Sequence, residues 1–416
     1  MAIIERLGGL GATGIAKEAT FGTLVTPTQF IPFAENTIQA DPGWFSPPLI
    51  NSSRSKQIYD GYGQEKIEGA LTYPLLPTMG IPMLVGSVGL DAQVGMGVTI
   101  QSSASATTLS ASAAASASSV TVTSATGLAI GDIIQIDVNS VTGSTTAECV
   151  KITAINTDTL TISPALNYSH ASGVTVYTQN TNSPFVHTII PNNTLPSFTI
   201  ERNMGNYQSQ QYGGCRVNKS SIKAQATNQE VQITTDIIGQ SANVLATPSA
   251  FSYDVEAIYT FTGASLTQIA GANPSIQVSQ MQNVTFNIDN ALQAEWTMAN
   301  SNLVQFLTPG ALTVNGEFEL IWSSLNDTNF GYFYSMLPGQ AQNFNLSITI
   351  QQPNTGSAAS GITLNMPLCK VTKLKDDVKL GEDIKSTVSF EALRDLSVTP
   401  ATEVTLTVIN SVYTPY

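Results

Sequence analysis

The sequence predicts a mainly β protein: a β-sandwich or half-barrel with one or two short helices, interrupted by a small antiparallel β-barrel-like insertion domain. Only 11% of the 416 residues are charged, against about 25% in ordinary globular proteins, so the polar surface must come mainly from Ser, Thr, Asn and Gln. Short segments that alternate apolar and polar residues recur along the chain with turn residues between them, which is typical of antiparallel strands.

A change of composition marks the domain boundary. Residues 92–131 contain no charged residue, and within them Ser102–Ser119 is a tract of Ser, Ala and Thr. Such a tract has too little apolar surface to form a core, so we predict a flexible or extended connector. We therefore expect an inserted small β domain over 100–183 and one discontinuous β domain over 1–99 and 184–416.

The insertion domain contains five predicted strands in about 60 residues, the density of a small antiparallel barrel or sandwich. They are Ser119–Thr123, Ile133–Val138, Glu148–Ile155, Thr159–Ser163 and Gly173–Tyr177.

The larger domain shows the same alternation. A strand over Lys66–Leu75 precedes a short predicted helix within Leu76–Gly89, and Thr328–Met336 is a second predicted helix with an aromatic face. The remaining predicted strands are Ser197–Arg202, Val217–Thr227, Val231–Ile238, Met281–Ile288, Ala311–Trp322, Phe344–Ile350, Ile362–Leu368, Lys385–Ala392 and Val404–Asn410.

Charge and cysteine content exclude several classes of protein. The net charge is −13 and the pI about 4.5, which argues against an electrostatic nucleic-acid binder. No apolar run is long enough to span a membrane, and the first residues lack the pattern of a signal peptide. Cys149, Cys215 and Cys369 form no Cys-x-x-Cys pair, so we expect three buried free thiols.

The search for a catalytic or metal site finds no constellation of the required residues. His170 lies in a predicted turn and His187 on a predicted strand edge, and neither has an acid or Cys at triad or ligand spacing. Gly8–Gly14 lacks the strand, Lys and helix of a phosphate loop, so a flexible N-terminal arm is expected. Lys373–Asp383 is predicted to be a solvated mixed-charge loop. We expect no enzyme activity, cofactor or metal.

The order of several short segments resembles the tail tube (major tail) proteins of long-tailed bacteriophages. The segments are Gly14–Thr23, Pro27–Pro32, Arg54, Gly69–Leu71, Gly80–Gly89, Phe198–Arg202, Gly214–Ser221, Asp236–Gly239, Asn283–Asn290, Pro309–Gly310 and Gly316–Phe318. Within the insertion, Val120–Thr123, Thr126–Asp132 and Tyr168–Gly173 are similar to a small β domain found in many phage structural proteins.

This resemblance implies a structural virion protein, made in the host bacterial cytoplasm and located in the tail. It implies hexameric rings that stack into a tube, strands of neighbouring subunits joined into one barrel, and DNA passing through without sequence-specific binding. The implied partners are the chain itself, the tape measure, the tail terminator and the baseplate or tip, with no membrane. We expect an acidic, lysine-poor channel lining.

The charged, Gly-rich stretch Arg54–Glu68 is predicted to be a surface hairpin or a subunit-contact loop. Together with the N-terminal segment Met1–Thr20, this stretch is our candidate for contact between rings. Its candidate subunit-contact residues are Arg54, Lys56, Tyr59, Asp60, Tyr62 and Glu65.

Two other functions are alternatives. A surface adhesin, carbohydrate-binding or decoration β protein shares the low charge and the Thr- and Ser-rich strands, and Tyr168 and Tyr177 are its testable residues. A hydrolase requires a His-centred or paired-carboxylate site, for which we find no sequence pattern.

Overall fold

A computed structural model gives the structure of most of the chain. It describes residues 11–47, 60–90, 98–100, 103–137, 146–179, 184–205, 209–226, 228–253, 257–269, 276–277, 281–298, 302–321, 343–352, 360–378, 380–381, 383–398 and 401–416.

The described residues form thirty strands and one α-helix. The first fifteen strands are β1 Ala12–Lys17, β2 Gln29–Ile31, β3 Glu35–Asn36, β4 Gln39–Asp41, β5 Trp44–Phe45, β6 Gly61–Tyr62, β7 Lys66–Pro74, β8 Gly89–Leu90, β9 Val98–Ile100, β10 Ser103–Thr108, β11 Ser119–Thr121, β12 Ile133–Ile136, β13 Glu148–Asn156, β14 Thr159–Ser163 and β15 Thr175–Gln179. The others are β16 Phe185–Pro191, β17 Phe198–Asn203, β18 Ser209–Gln225, β19 Asn228–Gly239, β20 Ser241–Leu245, β21 Ala264–Ile269, β22 Ile276–Gln277, β23 Met281–Asp289, β24 Gln293–Trp296, β25 Val304–Thr308, β26 Thr313–Ile321, β27 Phe344–Gln351, β28 Gly361–Asp377, β29 Lys385–Ala392 and β30 Thr405–Asn410.

The helix α1 (Ile81–Val88) lies where the sequence predicts one and packs against β18 and β16. It is short and apolar, and nearly all of its residues are buried. Gly80 precedes it with a φ of 77°, and a Cβ there would lie 2.4 Å from the Tyr73 ring, so only glycine fits this turn. The second predicted helix, Thr328–Met336, lies outside the described residues.

The main sheet places eight strand positions side by side in the order β3/β4, β7, β19, β18, β23, β26, β29, β28. Strands β18 and β28 have 17 residues each. Their N-terminal halves leave this order to pair with β17 and β20, and with β27 and β30, respectively. The sheet therefore curls into a half-barrel, which confirms the predicted mainly β fold.

The strand pairing divides this sheet into two units with the same topology. In the first unit β1 pairs with β2 and β17, β18 with β17, β20 and β19, and β19 with β7. In the second unit β21 pairs with β22 and β27, β28 with β27, β30 and β29, and β29 with β26. Each pair in one unit has its counterpart in the other, so the chain contains a structural repeat.

Residue register confirms the repeat. Phe198 lies opposite Cys215 and Phe344 opposite Cys369, and each pairing is followed by a register shift at the same point. The next residues read Cys-Arg-Val-Asn-Lys from Cys215 and Cys-Lys-Val-Thr-Lys from Cys369. In both units a second shift falls between that Val and that Lys. Sequence analysis missed this repeat.

Residues 103–179 contain a separate six-stranded sheet, the small sheet, in the order β10, β15, β12, β13, β14, β11. A bridge between Leu109 and Val122 joins its two edge strands, so the sheet closes on itself around its own apolar cluster. All five strands predicted here are found within a few residues. Within the tract predicted to be a flexible or extended connector, Ser103–Thr108 is extended and forms the strand β10, paired with β15.

The N-terminal prediction also needs correction. Ala12–Lys17 is not a flexible arm but the strand β1, paired with both β2 and β17. Its first five residues are buried, and the adjoining Glu18 carboxylate accepts hydrogen bonds from Ser197, Thr199 and the Gly214 backbone at 2.7–2.9 Å. Burial and these bonds hold the segment in place. Residues 1–10 lie outside the described residues.

Candidate assembly surfaces

Strands β5 and β6, here called the arm, form a two-stranded ribbon that continues beyond β4 and β7. Gly43 and Gly63 stand where the ribbon leaves the sheet, with the Gly63 N–H donating to the Gly43 carbonyl at 2.9 Å. A Cβ on Gly63 would lie 2.5 Å from that oxygen, so the crossing requires glycine.

Aromatic side chains cover the arm and face solvent. The rings of Trp44 and Tyr62 are in tilted contact with centroids 4.1 Å apart, yet Trp44 is 56% exposed and Tyr62 is 67% exposed. Phe45 beside them is exposed to a similar extent. Exposed clustered aromatics are typical of contact surfaces between proteins.

The predicted subunit-contact residues fall into three groups. Arg54, Lys56 and Tyr59 lie outside the described residues. Asp60 and Tyr62 are exposed on or beside β6. Glu65 lies at the base of the arm.

Glu65 connects the base of the arm to a second hairpin. Its backbone N–H donates to the Asn302 carbonyl at 2.8 Å, and the Asn302 amide donates to its carboxylate at 3.3 Å. Burial raises the pKa of Glu65, while hydrogen bonds from the Ala242 N–H and Asn302 oppose that shift. Glu65 therefore anchors the arm within its own chain.

The second hairpin, β24 and β25, occupies in the second unit the place of the arm in the first. Gly43 and Ala291 both have positive φ, 63° and 46°, and their N–H groups donate to Asp41 and Asp289, respectively, at 2.9 Å. This hairpin exposes Phe306. Sequence analysis missed it, although the repeated Asp two residues before a turn residue was a usable signal.

The main sheet has one polar face, opposite the face covered by α1 and the core; it is called the channel face after the role that we propose for it. Four rows of paired residues cross it, and they contain six acids, five lysines and no arginine. This face therefore carries charges of both signs, and the acidic, lysine-poor channel lining stays a prediction. The rows are Glu35–Thr72–Thr234–Ser221–Asn287–Asn315–Glu391–Lys370, Ala70–Asp236–Lys219–Asp289–Thr313, Pro74–Gln232–Lys223–Thr285–Glu317–Ser389–Lys373 and Gln225–Asn283–Glu319–Thr387–Lys375.

Side chains on the channel face bond to one another. Thr72 and Thr234 hydroxyls lie 3.1 Å apart, the Asn287 amide donates to Asn315 at 3.2 Å, and Lys385 donates to Glu319 at 3.2 Å. These bonds occupy polar groups that would otherwise bind a ligand.

The main sheet ends in two edges. At one end β3 and β4 pair with β7, and at the other end residues 370–375 of β28 pair with β29. Among the described residues no strand pairs with the outer side of either segment. Gln39–Asp41 and Thr372, Lys373 and Lys375 are exposed. Open edges of this kind invite pairing with another chain.

The structure gives both histidines partners that sequence spacing did not reveal. In the small sheet His170 Nε2 lies 2.9 Å from Glu148 Oε1, both side chains being buried, and Asp137 approaches Nδ1 at 3.7 Å. The Glu148 carboxylate also accepts hydrogen bonds from the Asn167 and Tyr168 N–H groups. His187 is buried in β16, flanked by β30 and β9, with a ring nitrogen 2.8 Å from the Val412 carbonyl.

These contacts tie His170 and His187 into the fold. Within the described residues no three His, Cys, Asp or Glu side chains form a possible metal site. No described helix has the length and apolar character to cross a membrane. The three cysteines are buried and free.

A family model of phage tail tube proteins matches residues 8–392. No curated protein matches the chain. Because the family model covers nearly the whole sequence, the chain belongs to the phage tail tube protein family. It is a structural protein and a component of the virion tail.

Proposed function

We propose that this tail tube protein assembles into rings with six barrel-forming units that stack into the tail tube, the conduit through which DNA leaves the particle. The observation that supports this most directly is the pair of open edges on a curled sheet with one polar and one covered face. A sheet with two exposed edges is an aggregation hazard unless another strand covers them. Closing each edge against a neighbouring copy removes both edges and produces a barrel.

The channel face suits a passage that DNA crosses without being held. Its nearly balanced charges supply no cluster of arginine or lysine to neutralise successive phosphates. The hydrogen bonds between Thr72 and Thr234 and between Asn287 and Asn315 already engage polar groups there. DNA would therefore pass without sequence-specific binding.

The arm and the second hairpin are proposed to make the contacts between stacked rings. Both leave the sheet at equivalent positions, and both expose aromatic side chains. In the arm we assign this role to the segment that holds Arg54, Lys56, Tyr59, Asp60 and Tyr62. Glu65 supports it by fixing the base.

The domain division at 100 and 183 is also proposed, with the small sheet as an inserted domain. Its support is the separate apolar cluster and the repeat: 129 residues separate Gly69 from Phe198, but only 28 separate the equivalent Gly316 from Phe344. Strands β9 and β16 lead to and from it. Since α1 packs on β16 and not on the channel face, the insertion would project from the tube exterior.

The other proposed partners follow from a tube: the tape measure inside it, and the tail terminator and the baseplate or tip at its ends. We also propose that the chain is made in the host cytoplasm and has no enzymatic role.

Electron microscopy of the purified chain tests the proposal. The wild type should form hollow tubes or rings, and Trp44→Ser combined with Tyr62→Ser should leave rings but shorten or abolish stacks. Ile130→Ser removes an exposed apolar side chain from the small sheet and should leave tubes intact. A chain that stays monomeric, or that binds a glycan as a monomer, would overturn the proposal.

A further inference from the structure

We propose that each ring contains three copies of this chain, not six, and that residues 373–378, at the end of β28, pair with β3 and β4 of the next copy with Lys373 opposite Asp41. This inference rests on the proposed function, because it specifies how the tube closes.

The chain already contains one junction between two barrel units. In the first unit, the C-terminal half of β18 pairs with β19 on one side and with β23 of the second unit on the other. Seven residue pairs join β18 to β23, from Lys219 opposite Asp289 to Gln225 opposite Asn283. The two units are therefore continuous in one sheet.

The free edges are the two halves of a second junction of the same kind. By the repeat, Lys373 corresponds to Lys219 since each stands four residues after the paired Cys. Asp41 corresponds to Asp289 in the same way. Asp41 pairs with Lys66, three residues before Gly69, and Asp289 pairs with Thr313, three residues before the equivalent Gly316. The internal register therefore predicts that Lys373 lies opposite Asp41 of the next copy.

Residues on the open edges are more exposed than the equivalent residues at the junction between β18 and β23, as a second junction requires. Ala224 is 1% exposed under β23, whereas its counterpart Val378 is 72% exposed. Gln39, Ala40 and Asp41 are all exposed, whereas the counterpart of Ala40, Ile288, is buried. Val378 and Ala40 therefore lie on open edges of the monomer, whereas their counterparts Ala224 and Ile288 are covered at the junction inside the chain.

Charge favours pairing between these two edges. Lys373 and Lys375 lie along one edge, followed by Asp376 and Asp377, and Glu35 and Asp41 lie along the other. Opposite charges on facing strands stabilise a pair, so a contact between Lys373 and Asp41 favours pairing of the two different edges. Head-to-tail contacts then repeat until the ring closes.

The strand count gives the barrel width for each number of chains. Each chain supplies eight strand positions to the main sheet, so three chains give a barrel of about 24 strands and six chains about 48. At about 4.8 Å between strands, the barrel is at least about 37 Å wide for three chains and about 73 Å for six. The six units per ring implied by the family resemblance are supplied by three chains with two units each.

Native mass spectrometry of the rings counts the chains directly. Since one chain is 43.9 kDa, we expect a ring of about 132 kDa with three-fold symmetry and three external protrusions. A ring of six chains would overturn this inference while leaving the proposed tube intact. A chain that never forms rings would contradict both.

Charge exchange tests the register. Lys373→Glu and Asp41→Lys should each raise the concentration needed for ring formation at least about tenfold, and the double variant should restore it. Lys151→Glu, on the small sheet, should have no effect. If Lys373→Glu assembles like the wild type, or if the double variant assembles no better than either single variant, the register is wrong.

Discussion

Lys219 lies between two acids in the register of the main sheet, opposite Asp236 on β19 and opposite Asp289 on β23. It therefore stands at the junction of the two units. Burial raises the pKa of Asp236, Lys219 lowers it, and Asp289 raises it further. The lysine thus holds two carboxylates of like charge beside each other.

Removing this cation should destabilise the junction. Lys219→Gln leaves Asp236 and Asp289 without the intervening charge, and we expect a loss of about 1 kcal/mol at neutral pH, measured by urea unfolding. Lys223→Gln is the matched control because Lys223 faces Thr285 and Gln232. Equal losses in both variants would contradict this role.

The pH dependence of Lys219→Gln follows from the sign of the Asp236 shift. A carboxyl whose pKa is raised in the folded state binds more protons folded than unfolded, so stability rises as the pH falls through its raised pKa toward the ordinary value. Without Lys219 the pKa of Asp236 should rise further. The variant should recover stability relative to wild type between neutral pH and about pH 5, and an unchanged difference would contradict it.

Gly69 and Gly316 occupy equivalent positions at which a neighbouring strand comes too close for any side chain. A Cβ at Gly316 would lie 2.5 Å from the Thr285 carbonyl oxygen, and at Gly69 2.4 Å from the Ile38 Cα. Each Gly→Ala substitution should cost about 1–3 kcal/mol, measured by thermal unfolding. In Gly361→Ala the nearest atom, 3.2 Å away, belongs to the flexible Gln351 side chain. That variant should cost less, and a larger loss there would contradict the assignment.

Glu148 should stabilise the small sheet without affecting the main sheet. In Glu148→Gln the side-chain amide N–H faces the Asn167 or Tyr168 N–H, so two donors meet, and the bond to His170 weakens. We expect the free energy of unfolding to fall by about 2–3 kcal/mol. Amide exchange should rise across 103–179 and stay unchanged in β26 and β29. Lys151→Ala on the same strand is exposed and should change neither. Faster exchange in both sheets would show that the two are not independent.

The cysteines should resist alkylation in the folded protein. All three are buried, and burial raises the pKa of Cys215 and raises that of Cys369 to about 12, so little thiolate forms at neutral pH. Iodoacetamide at pH 8 should add no label to the native chain and three labels in guanidinium. Rapid native labelling at Cys215 or Cys369 would contradict the packing of β18 and β28.

Much of the fold could be predicted because alternation of apolar and polar residues is a local property. Lys385–Ala392 was predicted to the residue, the strand over Lys66–Leu75 was predicted nearly so, and the helix Ile81–Val88 lies within the predicted segment Leu76–Gly89. Strands with little alternation escaped, including β1, where five successive residues are buried. The strands β5 and β6 have too few residues to show an alternation of apolar and polar side chains.

The assembly surfaces depended on information that is not local. The repeat was hidden because the insertion lengthens one unit by about 100 residues, leaving only the short Cys-x-Val-x-Lys match visible. The open edges follow from which strands pair, and His170 meets Glu148 only through folding of the small sheet. Charge alternation on the channel face appears only when the register aligns six strands.

Cryo-electron microscopy of assembled tubes tests the central claim most directly, that the chain closes a barrel through its two open sheet edges. We expect residues 373–378 of each copy to form an antiparallel ladder with β3 and β4 of the next, in a register that places Lys373 opposite Asp41. Tubes in which both edges face solvent, with copies joined through other surfaces, would contradict it.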